Sequence, residues 1–206
     1  CEGEADADIP VLSIHAGKRP NVVPAHAYAV VGADRAGIAF IQAKIGEIAR
    51  EMNQKLSVRD LGDGRAEISA EGVLSHGSLP EQGVNAAGIL MLALDKLGAG
   101  KAVLPALKMM NEKIGMEPDG ESLGIKCSDE LSHNLSCNLG ILRWNGHDFS
   151  ATLDIRYPLC TNETEILGRI TMAVSPYGAG VRMLSAHTPL HVPAEHKVVR
   201  GLLKVY

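Results

Sequence analysis

His76 stands in the stretch "SHGSLPEQGVNAAGILMLALDKL", residues 75 to 97, with Ser75, Gly77 and Ser78 around it and an apolar helical pattern ahead of it. An imidazole can donate a hydrogen bond to an oxygen that gains negative charge during a reaction. The adjacent glycine permits close backbone approach to a ligand, and a helix opening near Gly83, Val84 and Asn85 would add free N–H groups and a favourable dipole. The plainer alternative is a histidine that merely occupies a serine- and glycine-rich loop. Arg156 closes the stretch "ATLDIRYP". Its guanidinium fork suits a carboxylate bound through two parallel hydrogen bonds, or else it pairs with Asp154 two positions earlier, a contact worth little on a surface. Asn21, in "RPNVVP", either serves its own turn or offers a neutral donor to a carboxylate or peptide carbonyl. Residue type and spacing leave both readings open at Arg156 and Asn21.

The other histidines, at positions 15, 26, 133, 147, 187, 191 and 196, have no partner four residues away and no nearby acidic ligand set, so no metal site is expected within the chain. The four cysteines, Cys1, Cys127, Cys137 and Cys160, form no C-x-x-C pair and read as reduced thiols in a cytoplasmic setting. A net charge of -4 without any Lys or Arg cluster argues against nucleic acid or an anionic membrane surface as partner. With one Trp, four Tyr and two Phe, base stacking is a weak option too. No apolar run approaches the roughly 18 residues that a membrane-spanning helix needs. Starting at Cys1 rather than Met, the chain is either a lipid-modified mature form or a piece of something longer. The ending "HKVVRGLLKVY" stops inside a helical apolar pattern and favours the second.

These residues must be carried by elements that the apolar pattern makes visible. From Arg35 to Met52, Ile38, Ile41, Ile45, Ile48 and Met52 recur at helical steps on one stripe. Two strand candidates, "VLSIHAG" and "AHAYAVV", precede it. After it, "KLSVRDL" and "RAEISAEG" flank Asp63-Gly64, a dipeptide suited to a tight hairpin. The later half repeats the order: "LSCNLGILRW", a turn at Asn145-Gly146, "HDFSATLDIRYP", a helix from about Asn162 to Ser175, a strand "VRMLSAH" and a final helix. In "HDFSATLDIRYP", Phe149, Ala151, Leu153, Ile155 and Tyr157 face one way, with Ser150, Thr152, Asp154 and Arg156 on the other side. The expected class is α+β, with two ferredoxin-like two-layer sandwich lobes, each an antiparallel sheet with helices on one face. The lobes fall at residues 1–100 and 134–206, joined by a helical and irregular bridge at 101–133 in which "MEPDGES" is a turn or mobile loop.

Four segments in order, "NVVP", "GVLSHGSLPEQGVNA", "ATLDIRYP" and "HTPLHVPAEHKVVRGLLKVY", resemble peptidase V type dipeptidases of the zinc aminopeptidase and deacylase superfamily, which includes carnosinases and succinyl-diaminopimelate desuccinylase. The likeness runs from about residue 10 to the end. The H-x-D motif and paired glutamates of that family are missing, so the resemblance is to the lid alone, without the catalytic domain that flanks it. It implies that His76 polarises the scissile carbonyl of a dipeptide, while Asn21 and Arg156 hold the substrate's C-terminal carboxylate. It also implies two divalent metal ions, zinc by family, bound outside this chain. The fragment alone would be inactive. The lid of an N-acyl amino acid deacylase and a free-standing interaction module are the alternatives.

Overall fold

The computed structural model describes residues 8–187 and two isolated positions beyond them, 197 and 200. The first strands are β1 (Val11–Ala16), the short β2 (Val22–Val23) and β3 (His26–Gly32). Helix α1 (Arg35–Met52) follows, buries Ile38, Ile41, Ile45 and Ile48, and is capped by the Asp34 carboxylate, which accepts from Gly37 N at 2.8 Å. It ends at Asn53, in the left-handed region with φ 51°. Strands β4 (Lys55–Gly62) and β5 (Arg65–Glu71) form a hairpin whose turn residues Asp63 and Gly64 both have positive φ, 50° and 70°, as a two-residue turn between twisted strands requires.

Next come β6 (Ser75–His76), a single 3-10 turn at Pro80–Gln82, and α2 (Ala86–Leu97). Asn85 caps α2 through Ala87 N, and Gly98, at φ 67°, ends it. Helix α3 (Leu104–Lys113) opens on Pro105 and packs against α2 through Leu107 and its buried methionines. Beyond it, "MEPDGES" is a turn tied at both ends. Glu117 accepts from Ser122 N at 2.8 Å, and the Pro118 carbonyl accepts from Cys137 N at 2.7 Å. The small hairpin of β7 (Ser128–Asp129) and β8 (His133–Asn134) leads into β9 (Ser136–Trp144), β10 (Phe149–Arg156) and α4 (Glu163–Val174), capped by Asn162.

The large strands form one antiparallel sheet of six, in the order β10-β9-β1-β3-β5-β4. The α+β class with an antiparallel sheet is therefore present. The strands expected in two lobes meet edge to edge at β1 and β9, through Ile14–Trp144, His15–Arg143 and Ala16–Leu142. Trp144 reinforces this seam, its indole N–H donating to the Val11 carbonyl at 2.8 Å. One core serves the whole: Ile14, Ala29, Ile68, Leu139 and Leu142 from the sheet bury with Ile41, Leu90 and Leu107 from the helices. Alternate residues on the other side of the sheet, such as His15, Tyr28 and Ser69, are only half-buried. Phe149, Ala151, Leu153 and Ile155 pair opposite the buried Trp144, Leu142, Leu139 and Cys137, which matches the facing read from alternation.

The strand expected at 181–187 does not form: these residues are irregular and exposed, with Leu184 at 65%. Alternation marks residues able to line a sheet but supplies no partner, and among the described residues none pairs there. The final helix, apart from Lys197 and Arg200, lies outside the described residues.

Candidate functional site

Along β9, strand β1 pairs with the C-terminal part alone, and residues 17–21 cross over the remainder. Two glycines make that crossing possible. Gly17 has φ +66°, and a Cβ there would fall 1.8 Å from the Gly140 carbonyl; a Cβ at Gly140 would fall 2.1 Å from the Pro20 carbonyl. Gly140 is also the extra residue of a bulge, since Thr152 pairs with Ile141 and Leu153 with Leu139. Arg143 fastens the start of the crossing by donating to the carbonyls of Ala16 at 2.5 Å and Gly17 at 2.6 Å. The Asn138 amide, 1% exposed, fastens its end by donating to the Pro20 carbonyl at 2.7 Å.

Asn21 follows directly and is exposed. Its carboxamide makes no hydrogen bond among the described residues, so the turn it occupies is closed without it. Val22 and Val23 then pair with His76 and Ser75, a two-rung ribbon that Gly77 extends by donating its N–H to the Asn21 carbonyl at 2.8 Å. Asn21 and His76, 55 positions apart in the sequence, thus become neighbours.

His76 is exposed, and its Nδ1 lies 2.7 Å from Ser78 Oγ and 3.3 Å from the Ser78 N–H. A backbone N–H can only donate, which makes Nδ1 an acceptor and assigns the proton of the neutral ring to Nε2. Nε2–H has no partner among the described residues. The helix N-terminus expected beside His76 has the first two of its own N–H groups already bonded. Helix α2 begins at Ala86, whose N–H goes to the Pro24 carbonyl at 2.9 Å, while the Ala87 N–H goes to Asn85 Oδ1, also at 2.9 Å. The cap that starts the helix thus occupies two of its first-turn donors.

Arg156 lies at the end of β10, opposite Ser136, and Asp154 lies opposite Asn138. The Arg156 Nε–H donates to Asp154 Oδ2 at 3.2 Å, the side chains being 45% and 24% exposed. The expected local pair is thus present, yet it occupies only one corner of the guanidinium. The two terminal amino groups are unbonded among the described residues. Gly77 joins the two halves: buried, it has so little room that an added Cβ would lie 2.8 Å from Asp154 Oδ2 and 2.9 Å from the Asn21 carbonyl carbon. Asn21, His76, Asp154 and Arg156 are therefore grouped around one glycine.

Sequence reasoning named three of these residues by chemical type and the glycine beside His76 as a point of close approach, but missed Asn138 and Arg143, whose parts depend on how closely segments distant in the chain approach. The usable signal was Asp154 on the polar side of an alternating strand. No group of three or more His, Cys, Asp or Glu able to hold a metal occurs among the described residues. The arrangement supplies three hydrogen-bond donors, an imidazole N–H, a carboxamide and a guanidinium edge, with the Asp154 carboxylate engaged by Arg156. Such a set can bind a carboxylate and polarise a carbonyl.

The chain is similar to curated proteins named as putative dipeptidases. It is 28% identical to the putative dipeptidase YtjP of Bacillus subtilis over 98% of this chain and 43% of the relative. It is 24% identical to the putative dipeptidase SH1171 of Staphylococcus haemolyticus and 23% identical to SAB1611c of Staphylococcus aureus, over 100% of this chain and 44% of each relative. The chain thus spans less than half the length of the curated relatives it matches. No protein-family model matches it. No helix among the described residues is long and apolar enough to cross a membrane.

Proposed function

We propose that this chain is the lid and substrate-recognition part of a metal-dependent dipeptidase of the peptidase V type, acting in the cytoplasm on dipeptides with a free C-terminal carboxylate. The observation that carries this reading is the grouping of Asn21, His76 and Arg156 around Gly77. The similarity to proteins named as dipeptidases, covering less than half of each, supports it. In this reading the strands before residue 100 and those after 134 act as two lobes of the lid, on either side of the β1–β9 seam.

Among the described residues no group of His, Cys, Asp or Glu fits a metal ion; in this reading zinc and its chemistry belong to a catalytic part of the polypeptide outside this chain. Within the chain, the free guanidinium edge of Arg156 and the Asn21 carboxamide bind and orient the carboxylate. The His76 Nε2–H donates to the scissile carbonyl oxygen as charge develops on it.

The test is an assay of the longer polypeptide that contains this segment, with free dipeptides, dipeptide amides and N-succinyl amino acids as substrates. Release of amino acids from free dipeptides is expected. Cleavage of the succinyl compounds alone would transfer the lid to a deacylase, and no cleavage of any would leave an interaction module.

A further inference from the structure

The pair formed by Asp154 and Arg156 has a directional consequence. A guanidinium presents two edges that can each accept a carboxylate, one formed by Nε with a terminal amino group and one by the two terminal amino groups. Asp154 takes Nε. A carboxylate ligand is left with the end-on edge. Asp154 itself has little freedom, because Oδ2 abuts Gly77 and its strand position faces Asn138. Gly77 follows His76 in the chain and is bonded to Asn21.

We infer that Asp154 is a positioning residue that aims Arg156 and ties it to the His76 loop, so that the distance between the carboxylate anchor and the carbonyl-polarising imidazole is fixed. The inference rests on the reading under Proposed function and extends it to the choice of substrate length. A ligand must place its carboxylate and its scissile carbonyl one fixed span apart, which selects dipeptides over longer peptides. Asp154 touches no substrate in this arrangement. It acts through Arg156.

Two measurements test it. In the 206-residue chain carrying 15N-labelled arginine, the Arg156 Nε–H resonance is assigned by its loss in Arg156→Lys. In Asp154→Asn, its exchange with water should accelerate about tenfold, the scale of one charge-assisted hydrogen bond. In the longer polypeptide, Asp154→Asn should raise KM for a dipeptide about tenfold with kcat within about threefold, and leave the dipeptide amide within about twofold. The preference for dipeptide over tripeptide should shrink as well. Unchanged exchange would overturn the inference. Faster exchange with equal losses on the peptide and its amide would also overturn it, since that pattern marks a merely structural residue. If the parent cleaves no dipeptide, the dipeptidase reading fails, while the exchange measurement still decides whether Asp154 holds Arg156.

Discussion

Asn138 grips Pro20 across 118 positions of sequence, its amide donating to the Pro20 carbonyl at 2.7 Å from a side chain that is 1% exposed. This contact seats Asn21, the next residue. Asn138→Ala removes the donor from this part-buried bond and should lower stability by about 1 kcal/mol in a denaturant titration. Ser136, two positions earlier on the same strand, has a buried hydroxyl with no partner among the described residues. Ser136→Ala should therefore change stability by less than about 0.5 kcal/mol. Equal losses for the two variants would show that the Asn138 bond is not what holds the crossing.

Glycines with opposite surroundings should respond oppositely. Gly140→Ala drives a methyl group into the Pro20 backbone, 2.1 Å from its carbonyl oxygen, and should cost about 1–3 kcal/mol or more. Gly46, in the middle of α1, has nothing within 4 Å of the point an added methyl would occupy, and Gly46→Ala should stabilise by about 0.5–1 kcal/mol through helix propensity. Thermal or denaturant unfolding of the two variants checks both signs.

In the longer polypeptide, His76→Ala should lower kcat roughly 100-fold, as loss of one donor to a developing oxyanion does, without changing metal content. Turnover within a few fold of the parent would return His76 to the status of a loop residue.

Arg156→Ala should reduce kcat/KM for a free dipeptide far more than for its amide, because the amide never offers a charged partner. Arg156→Lys should not restore it fully, since an ammonium lacks the planar fork. Asn21→Ala should show the same bias more weakly. Equal losses on both substrates would remove these residues from carboxylate recognition.

Asp129 gives a pH signature in the β7–β8 hairpin. Its carboxylate accepts from Ser132 Oγ at 2.7 Å, and from the backbone N–H groups of Ser132, Leu131 and Cys160, which holds its pKa at about 2 against an ordinary 3.8. A depressed folded-state pKa stabilises above the unfolded value and is lost as pH falls through the folded one. The stability difference between parent and Asp129→Asn should be constant above about pH 5 and shrink as pH falls through 3.8 toward 2. A difference independent of pH over that window would contradict the hydrogen-bond cause.

Local features were legible because their causes are local. The isoleucine stripe of α1 depends on spacing alone, and all four isoleucines are buried. Asp63-Gly64 makes its tight turn because both residues tolerate positive φ. Partners are a different matter. Nothing in "VLSIHA" announces that it pairs with "GILRW", since alternation reports which side of a strand is apolar and says nothing of which strand lies beside it. The same limit explains residues 181–187, whose pattern suited a strand that no neighbour receives. At the site, His76, Asn21 and Arg156 were visible by chemical type, whereas the lack of room for a Cβ at Gly77 beside Asp154 and the 2.7 Å bond from Asn138 to Pro20 arise only where distant segments meet.

The β1–β9 seam also governs when the four residues grouped at Gly77 can meet. Asn21 and His76 belong to the part of the chain before the seam's second strand, and Asp154 and Arg156 to the part after it. The β4–β5 hairpin closes a loop of a few residues, while joining His15 to Arg143 closes most of the chain, the kind of non-local contact that slows folding. Under the proposed function neither half alone holds the carboxylate anchor beside the imidazole, so a polypeptide still emerging from synthesis lacks the complete site until its sheet is joined.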